Sequence, residues 1–383
     1  YDTAYWDGDN SYQWDKNGAI TGTNTGNKAT PYNNIDNFFR NGSIFTNNVA
    51  ISGGEGNTYY RFSLANTSEQ GIVPLNTFNR TNIGLKVGSQ FLGDRISMDA
   101  TVNYAKSGGR RVQQGSNTSG LMLGLYRTPS SFDNTNGLAE PWNSDDPSAY
   151  QFSDGSQRSY RAGFGYDNPY WVINNSPFED DVDRIFGSLR LSYPVHQWLN
   201  LATTIGTDMY SDNRKQEFEI GSNTVRPGQV REDNYNYAHT DIYTTVGGGS
   251  SREADFQFNY LLGMNFWNTT WKQNYVQGDG LNFLGFRNLS NAQNISGYID
   301  HDDQKSMSVF GNMSFNYKSM LYLTLNGRQD WLSTLMVPSR EFNASDIGFF
   351  APSASLSFVF SELLNMEALS FGKLRASYGR VGG

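Results

Sequence analysis

Apolar and polar residues alternate along about twelve stretches of this chain. Arg95 to Tyr104 puts Ile96, Met98, Ala100, Val102 and Tyr104 on one face and Ser97, Asp99, Thr101 and Asn103 on the other. Ile185, Leu189, Leu191 and Tyr193 stand against Ser188, Arg190 and Ser192 in the same way. Phe256, Phe258, Tyr260, Leu262, Met264 and Phe266 oppose Asp255, Gln257, Asn259 and Asn265. Met307, Val309, Met313, Phe315 and Tyr317 oppose Ser308, Asn312, Ser314 and Asn316, and Leu356, Phe358 and Phe360 oppose Ser355 and Ser357. A period of two is that of a strand with unlike faces; a helix would repeat near 3.6. These runs therefore predict strands, the first over 44–52.

The connections fall into two classes. The first hairpin, near Gly53 to Asn57, and the links at Gly93-Asp94, Pro194 to Trp198, Gly247 to Ser251 and Lys318-Ser319 are tight. Ser107 to Asp181, Asn268 to Gly297 and Leu335 to Phe349 read as long loops. Short links at one end and long ones at the other are the signature of an outer-membrane barrel, with short periplasmic turns and longer extracellular loops. The expected fold is all-β, a transmembrane antiparallel up-and-down β-barrel. Tyr193, Trp198, Trp267, Tyr317, Trp331 and Phe360 fall near expected strand ends, where an interfacial aromatic girdle would sit.

Composition narrows the picture. The chain has 383 residues, of which 17% are charged and 15% aromatic, with 40 Gly. Mean hydropathy is -0.59, and no run approaches the roughly 18 apolar residues of a membrane helix. A membrane strand escapes such averages, because every second residue is free to be polar. A net charge of -8 and a pI near 5.0 argue against nucleic acid as a partner. Cysteine is absent, which excludes disulfides and thiol chemistry. The chain starts at Tyr1 without an initiator Met or a signal-peptide pattern, so its start is expected to be processed, truncated or incompletely covered. Turn parity agrees: if the first hairpin is periplasmic, the first visible strand runs downward and at least one earlier strand is needed. Closure of these strands alone would leave 1–41 as an isolated outer loop. The chain reads as a piece of a larger barrel.

Several runs carry a family resemblance. Pro31-Tyr-Asn-Asn-Ile-Asp-Asn-Phe-Phe-Arg-Asn-Gly42 followed by Asn48-Val-Ala-Ile-Ser-Gly-Gly54 resembles SusC-like (RagA-like) TonB-dependent transporters of Bacteroidota. So do Tyr59-Tyr-Arg-Phe-Ser-Leu64, Glu69-Gln-Gly-Ile-Val-Pro74, Asn168-Pro-Tyr-Trp-Val172 and Gly372-Lys-Leu-Arg-Ala-Ser-Tyr-Gly379. The resemblance implies an outer-membrane barrel of about 22 strands with a plugged lumen. It also implies a SusD-like surface lipoprotein on the extracellular loops, coupling to a TonB complex through a missing N-terminal region, and a glycan or peptide cargo. By that pattern 1–43 is an extracellular loop segment. Residues 44–383 are then a partial barrel with the long extracellular loop 107–181, and the plug domain and the remaining strands are absent.

Other chemistry finds little support. His196, His239 and His301 are scattered and lack metal-ligand spacing. Asp145-Asp146, Glu179-Asp180-Asp181 and Asp300 to Asp303 lack the alternating oxygens and central Gly of a calcium loop. Gly108-Gly-Arg-Arg111 lacks the Lys-Ser/Thr end of a phosphate loop and reads as a loop start after a strand. Nothing marks the opposed carboxylates of a glycosidase. Asn-x-Ser/Thr triplets such as Asn117-Thr-Ser119 are expected by chance in a chain so rich in these residues. No enzyme, metal or cofactor is expected.

Contact with cargo or partner is expected at the long loops, since loops of this length are commonly functional. The candidates are Trp142, Tyr150, Phe152, Tyr160, Tyr166, Tyr170 and Trp171 in the first, and Trp271 and Tyr275 in the second. Phe164 stands among the former, and Phe283 and Phe286 among the latter. Aromatic faces suit sugar rings, protein interfaces and internal packing alike. Leu121-Met-Leu-Gly-Leu-Tyr126 is apolar enough for a buried segment or short helix. Asp99, Asn103 and Arg190 are expected to face the lumen. Import with a surface lipoprotein is the favoured function; a passive pore or anchoring barrel and a soluble secreted glycan-binding β-protein are the alternatives.

Overall fold

The structure is a computed structural model. It describes residues 32–113, 120–130, 132–134, 150–152, 154–160, 165–196, 198–250, 254–337, 341, 343–363 and 370–381. The strands are β1 (Ser43–Glu55), β2 (Thr58–Gln70), β3 (Thr77–Phe91), β4 (Ile96–Arg111), β5 (Phe178–His196) and β6 (Leu199–Phe218). They continue with β7 (Gln229–Gly249), β8 (Phe256–Leu281), β9 (Ala292–Tyr317), β10 (Leu321–Leu332), β11 (Gly348–Val359) and β12 (Lys373–Gly379). Three short helices accompany them: α1 (Asn34–Phe38), α2 (Leu121–Arg127) and α3 (Pro169–Asn175). All twelve strands form one sheet in chain order, each antiparallel to the next. This is the meander that the alternation and the hairpin links predict.

The tight links are built for sharp reversal. Lys318 and Ser319 both sit at positive φ, 51° and 55°, as the central residues of a tight turn closed by Met320 N–H donating to the Tyr317 carbonyl at 2.9 Å. Gly56, at φ 56°, opens the first hairpin. Near Pro194 and His196 the pairing of β5 with β6 shifts register, a bulge where proline cannot donate to the ladder. These links lie at one end of the sheet. Connections 112–177, 219–228, 282–291 and 333–347 lie at the other. The β11–β12 connection, 360–372, is a longer link on the short-turn side.

Register fixes the faces. On the lower part of the sheet, next to the short turns, Ile83, Leu85, Val102, Ile185, Leu191, Ile205, Met209, Leu262, Met264, Phe266, Met307, Val309 and Met313 share one face, and all are exposed. The opposite face carries Ser308, Asn265 and Ser306, which are buried, together with Asp99, Asn103 and Arg190. A sheet with apolar residues outside and polar residues inside is an outer-membrane barrel wall, with the apolar face toward lipid.

Three expectations change. The span Asn268 to Gly297 is not one long loop: β8 continues to Leu281, β9 starts at Ala292, and only 282–291 connects them. The alternation continues through it, but both faces there are largely polar, so the contrast that reveals a strand fades. Likewise β4 runs to Arg111 and β5 starts at Phe178, so Gly108 to Arg111 closes a strand and the long connection is 112–177. Trp267 also leaves the girdle group, because it sits in mid-strand on the polar face, opposite Asp241.

Strand length separates two levels. β8 and β9 have 26 residues each, more than twice the roughly 9–11 that cross a bilayer. β10 and β11 have 12 each. The upper halves of β5 to β9 therefore form a wall above the apolar band, against which the long connections fold.

Candidate functional site

The polar face of that wall carries a ladder of aromatic rings. It begins low on β7 and β9, where Tyr243 and Phe310 stack at 5.4 Å. His239 and Trp267 follow at 6.0 Å, then Tyr235 and Trp271 at 6.1 Å. Tyr210 and Tyr237, direct partners on β6 and β7, stack at 5.0 Å. Tyr275 and Tyr298, partners on β8 and β9, close the ladder at 4.9 Å. Strand parity alone produces this arrangement. Tyr235, Tyr237, His239, Asp241 and Tyr243 fall on alternate or nearby same-face positions of β7, and Trp267, Trp271 and Tyr275 answer them on β8.

Charged and amide groups fill the gaps between rings. Arg231 Nε donates to the Tyr275 hydroxyl at 3.0 Å. Gln273 donates to Asp233 at 2.7 Å and to the Tyr235 hydroxyl at 3.0 Å. Arg214 pairs with Asp212 at 2.7 Å and lies 4.7 Å over the Tyr235 ring. Arg184 pairs with Asp208, and Arg328 with Asp330. Such a surface presents π-faces, fixed carboxylates and guanidinium groups together, and suits a polar ligand with apolar faces. Among the described residues, no group of three or more His, Cys, Asp or Glu is arranged to hold a metal ion.

The second element is a cap folded from the long connections. In α3, Asn168 caps by accepting from Tyr170 N–H at 2.9 Å, and Pro169 occupies the first turn, where no N–H is needed. α3 buries Tyr170, Trp171, Val172 and Ile173. α1 is capped by Asn33 and presents Phe38 edge-on to Tyr170 at 5.0 Å. The apolar run near residue 121 is indeed a helix, α2, with Leu121 and Leu125 buried in the same cluster. The Trp171 indole donates to Ser222 Oγ at 2.9 Å and so joins the cap to the β6–β7 connection.

A buried polar layer completes the joint. Asp167 Oδ1 accepts from Gln157 Nε2 at 2.6 Å and from the backbone and side chain of Asn223 at 2.8 and 2.9 Å. Its Oδ2 is buried without a partner. Burial pushes the Asp167 carboxyl above the usual carboxylate range, against the pull of those three donors. Arg287, from the β8–β9 connection, reaches Glu217 at 2.8 Å and Glu219 at 3.0 Å, and Glu219 also accepts from Gly285 N–H at 3.1 Å. Three connections are thus tied into one platform. Beneath it, on the apolar-face side of the sheet, opens a cavity of about 900 Å³ lined by Arg40, Arg110, Glu179, Asp181, Lys215 and Glu232.

The expected contact residues divide between the two elements. Tyr150, Tyr160, Tyr170 and Trp171 are buried inside the cap. There Tyr170 packs on Phe38 of α1, and Trp171 meets Ser222 of the β6–β7 connection. Phe152 and Tyr166 are half-buried, and Tyr166 stacks on Tyr160 at 6.2 Å under Arg127. Trp142 and Phe164 lie outside the described residues. Trp271 and Tyr275 stand in the ladder, on strand instead of loop. Tyr210, Tyr235, Tyr237 and Tyr298 escape the sequence reading. The alternation Arg231, Asp233, Tyr235, Tyr237, His239 would have shown that one face of β7 collects aromatic and charged groups.

No family model matches the chain. The chain is similar to TonB-dependent receptor P3 of Formosa agariphila, with 23% identity over 91% of this chain and 34% of the relative. SusC of Bacteroides thetaiotaomicron, a TonB-dependent receptor, is 25% identical over 37% of this chain and 13% of its own. Among solved structures, the RagAB peptide transporter superposes with a TM-score of 0.69 at 15% identity, over 91% of this chain and 38% of that one. The chain spans about a third of the length of the curated relatives it matches over most of its own length. The sheet shares its fold with the RagAB transporter, and the apolar band is its lipid-facing belt.

Proposed function

From the likeness to SusC-like TonB-dependent receptors, we propose that this chain is part of an energised importer that carries an oligosaccharide or peptide across the outer membrane. The observation that carries this reading is the aromatic ladder on the lumen-facing side, from Phe310 and Tyr243 up to Tyr275 and Tyr298. A cargo descending the wall meets a ring at each level and an acceptor or donor beside it. The short-turn end is periplasmic and the capped end extracellular. A SusD-like lipoprotein delivers cargo at the cap, and a TonB complex acts on the importer's plug. The chain performs no catalysis.

Uptake of labelled oligosaccharide and peptide pools by cells carrying the full protein tests this reading. Uptake should stop with a protonophore and fall about tenfold in the Trp271→Ala/Tyr275→Ala double variant, since each aromatic contact is worth roughly 0.5–1.5 kcal/mol beyond its burial. Uptake that persists without proton-motive force would replace the importer with a passive pore.

A further inference from the structure

The sheet has a free edge that its own neighbours leave open. β9 pairs with β8 along its length, from Ala292 to Tyr317, but β10 reaches only Ser306 to Tyr317. Above Ser306, among the described residues, β9 has a strand on one side only. β1 and β12 also have one neighbour each, at the two margins of the sheet. The open part of β9 is different, because it lies inside the strand order and results from the step between a tall strand and a short one.

The composition of this edge is uneven. Gln293 to Ile299 reads Gln-Asn-Ile-Ser-Gly-Tyr-Ile, without charge or proline, and every residue is exposed. Ile295 is 61%, Tyr298 53% and Ile299 69% exposed. Directly below, Asp300, His301, Asp302 and Asp303 form an acidic run. Exposed strand edges are usually blunted by charges, proline or a bulge. Here the lower part is charged, while the upper seven residues have none of these protections.

The backbone direction is also defined. Lys305 N–H donates to Ser333 Oγ at 2.8 Å, on the β10 side. Amides alternate along an antiparallel strand. The N–H groups of Gln293, Ile295, Gly297 and Ile299 therefore point to the same open side. At the foot of the edge, Leu335, Met336 and Val337 are exposed as well.

We propose that the free edge of β9 is a docking rail for an extended segment of a partner polypeptide, which adds one strand to the wall above β10. The partner segment is uncharged and β-forming where it meets Gln293 to Ile299, and basic where it meets Asp300 to Asp303. Main-chain hydrogen bonds supply the affinity of such strand addition, and alternate side chains supply its specificity. Charge complementarity sets the register, because only one offset brings the cations beside the acidic run. A cargo molecule is the poorer occupant: the rail faces along the wall, beside the lumen surface that carries the ladder.

Hydrogen exchange read by mass spectrometry on the full protein tests the rail. One sample is extracted gently with its partners, and a second is stripped of them by a high-salt wash. Amides of 293–299 should exchange at least about tenfold more slowly in the first sample, since strand pairing protects them, and lose that protection when a polypeptide is released. Ile299→Pro removes one edge donor and leaves the β8 ladder intact, so it should abolish the protection and the retention of the partner; Ile299→Thr should preserve both. Heat-modifiable migration on gels checks that both variants are folded. Equal, fast exchange in both samples overturns the proposal. So does protection that survives stripping, which would mean that the chain covers its own edge. Protection restored to the stripped sample by a cargo peptide pool alone would assign the rail to cargo and overturn it equally.

Discussion

The cap and the barrel wall follow opposite rules within one chain. In the cap, Phe38, Leu121, Leu125, Tyr170, Trp171 and Val172 are buried against one another, as in a small water-soluble domain. On the lower wall, Val102, Leu262, Met264, Met307 and Val309 face outward and stay exposed, while Ser306 and Ser308 on the other face are buried. Residue type does not decide which is inside; the surrounding medium does. The cap meets water and hides its apolar groups, as the hydrophobic effect requires. The wall meets hydrocarbon, which leaves apolar groups outside at no cost, and there the strands between β1 and β12 satisfy their backbone groups through two neighbours each.

The largest expected effect lies in the cap. Trp171→Ala removes a fully buried ring and should cost the cap about 3–5 kcal/mol, the range for emptying such a site. Protease cleavage within 113–165 should accelerate strongly, while the barrel keeps its heat-modifiable migration. Unfolding of both together would show that cap and wall are one cooperative unit and would erase the contrast.

The wall gives the next effect. Val102→Lys places a charge on the lipid-facing side and should destabilise by about 2–4 kcal/mol near mid-bilayer. Asn274→Lys has the same face but lies on the upper part of β8, beside Lys272, and should change little. Urea unfolding in lipid vesicles compares the two. Equal losses would count against a lipid boundary between the two levels, and an unchanged Val102→Lys variant against lipid at that face.

The smallest effect is one of pH. Burial raises the Asp167 carboxyl, so the folded cap holds this proton more tightly than the unfolded chain. Stability should therefore fall as pH rises from the ordinary carboxylate value through the raised one, because the folded form must then bear a buried charge. Asp167→Asn should flatten that dependence in a proteolysis series across mildly acidic pH. A dependence unchanged in the variant would assign it to another group.

The sequence reveals the lower wall well, because lipid outside and a polar lumen inside impose a sharp alternation. Val102 against Thr101, and Met264 against Asn265, are readable without coordinates. Above the bilayer both faces are wet, so Lys272, Gln273 and Asn274 show no contrast, and the span around them looks like a loop although it is strand. The apolar run of α2 marks a buried segment. The burial of Trp171 and Tyr170 is not readable, since an aromatic residue in a long connection is equally suited to contact and to packing.

By itself, then, the sequence determines an antiparallel meander, one apolar face, and an end with short turns. These depend on period and on turn residues, which are local. Only the tertiary structure decides that the rings of four strands align into one ladder, that Arg287, Trp171 and Asp167 together bind three connections into a platform, and that β9 rises past β10 to leave an edge open. Each of these depends on register between segments far apart in the chain, and register is set by which residues end up opposite one another.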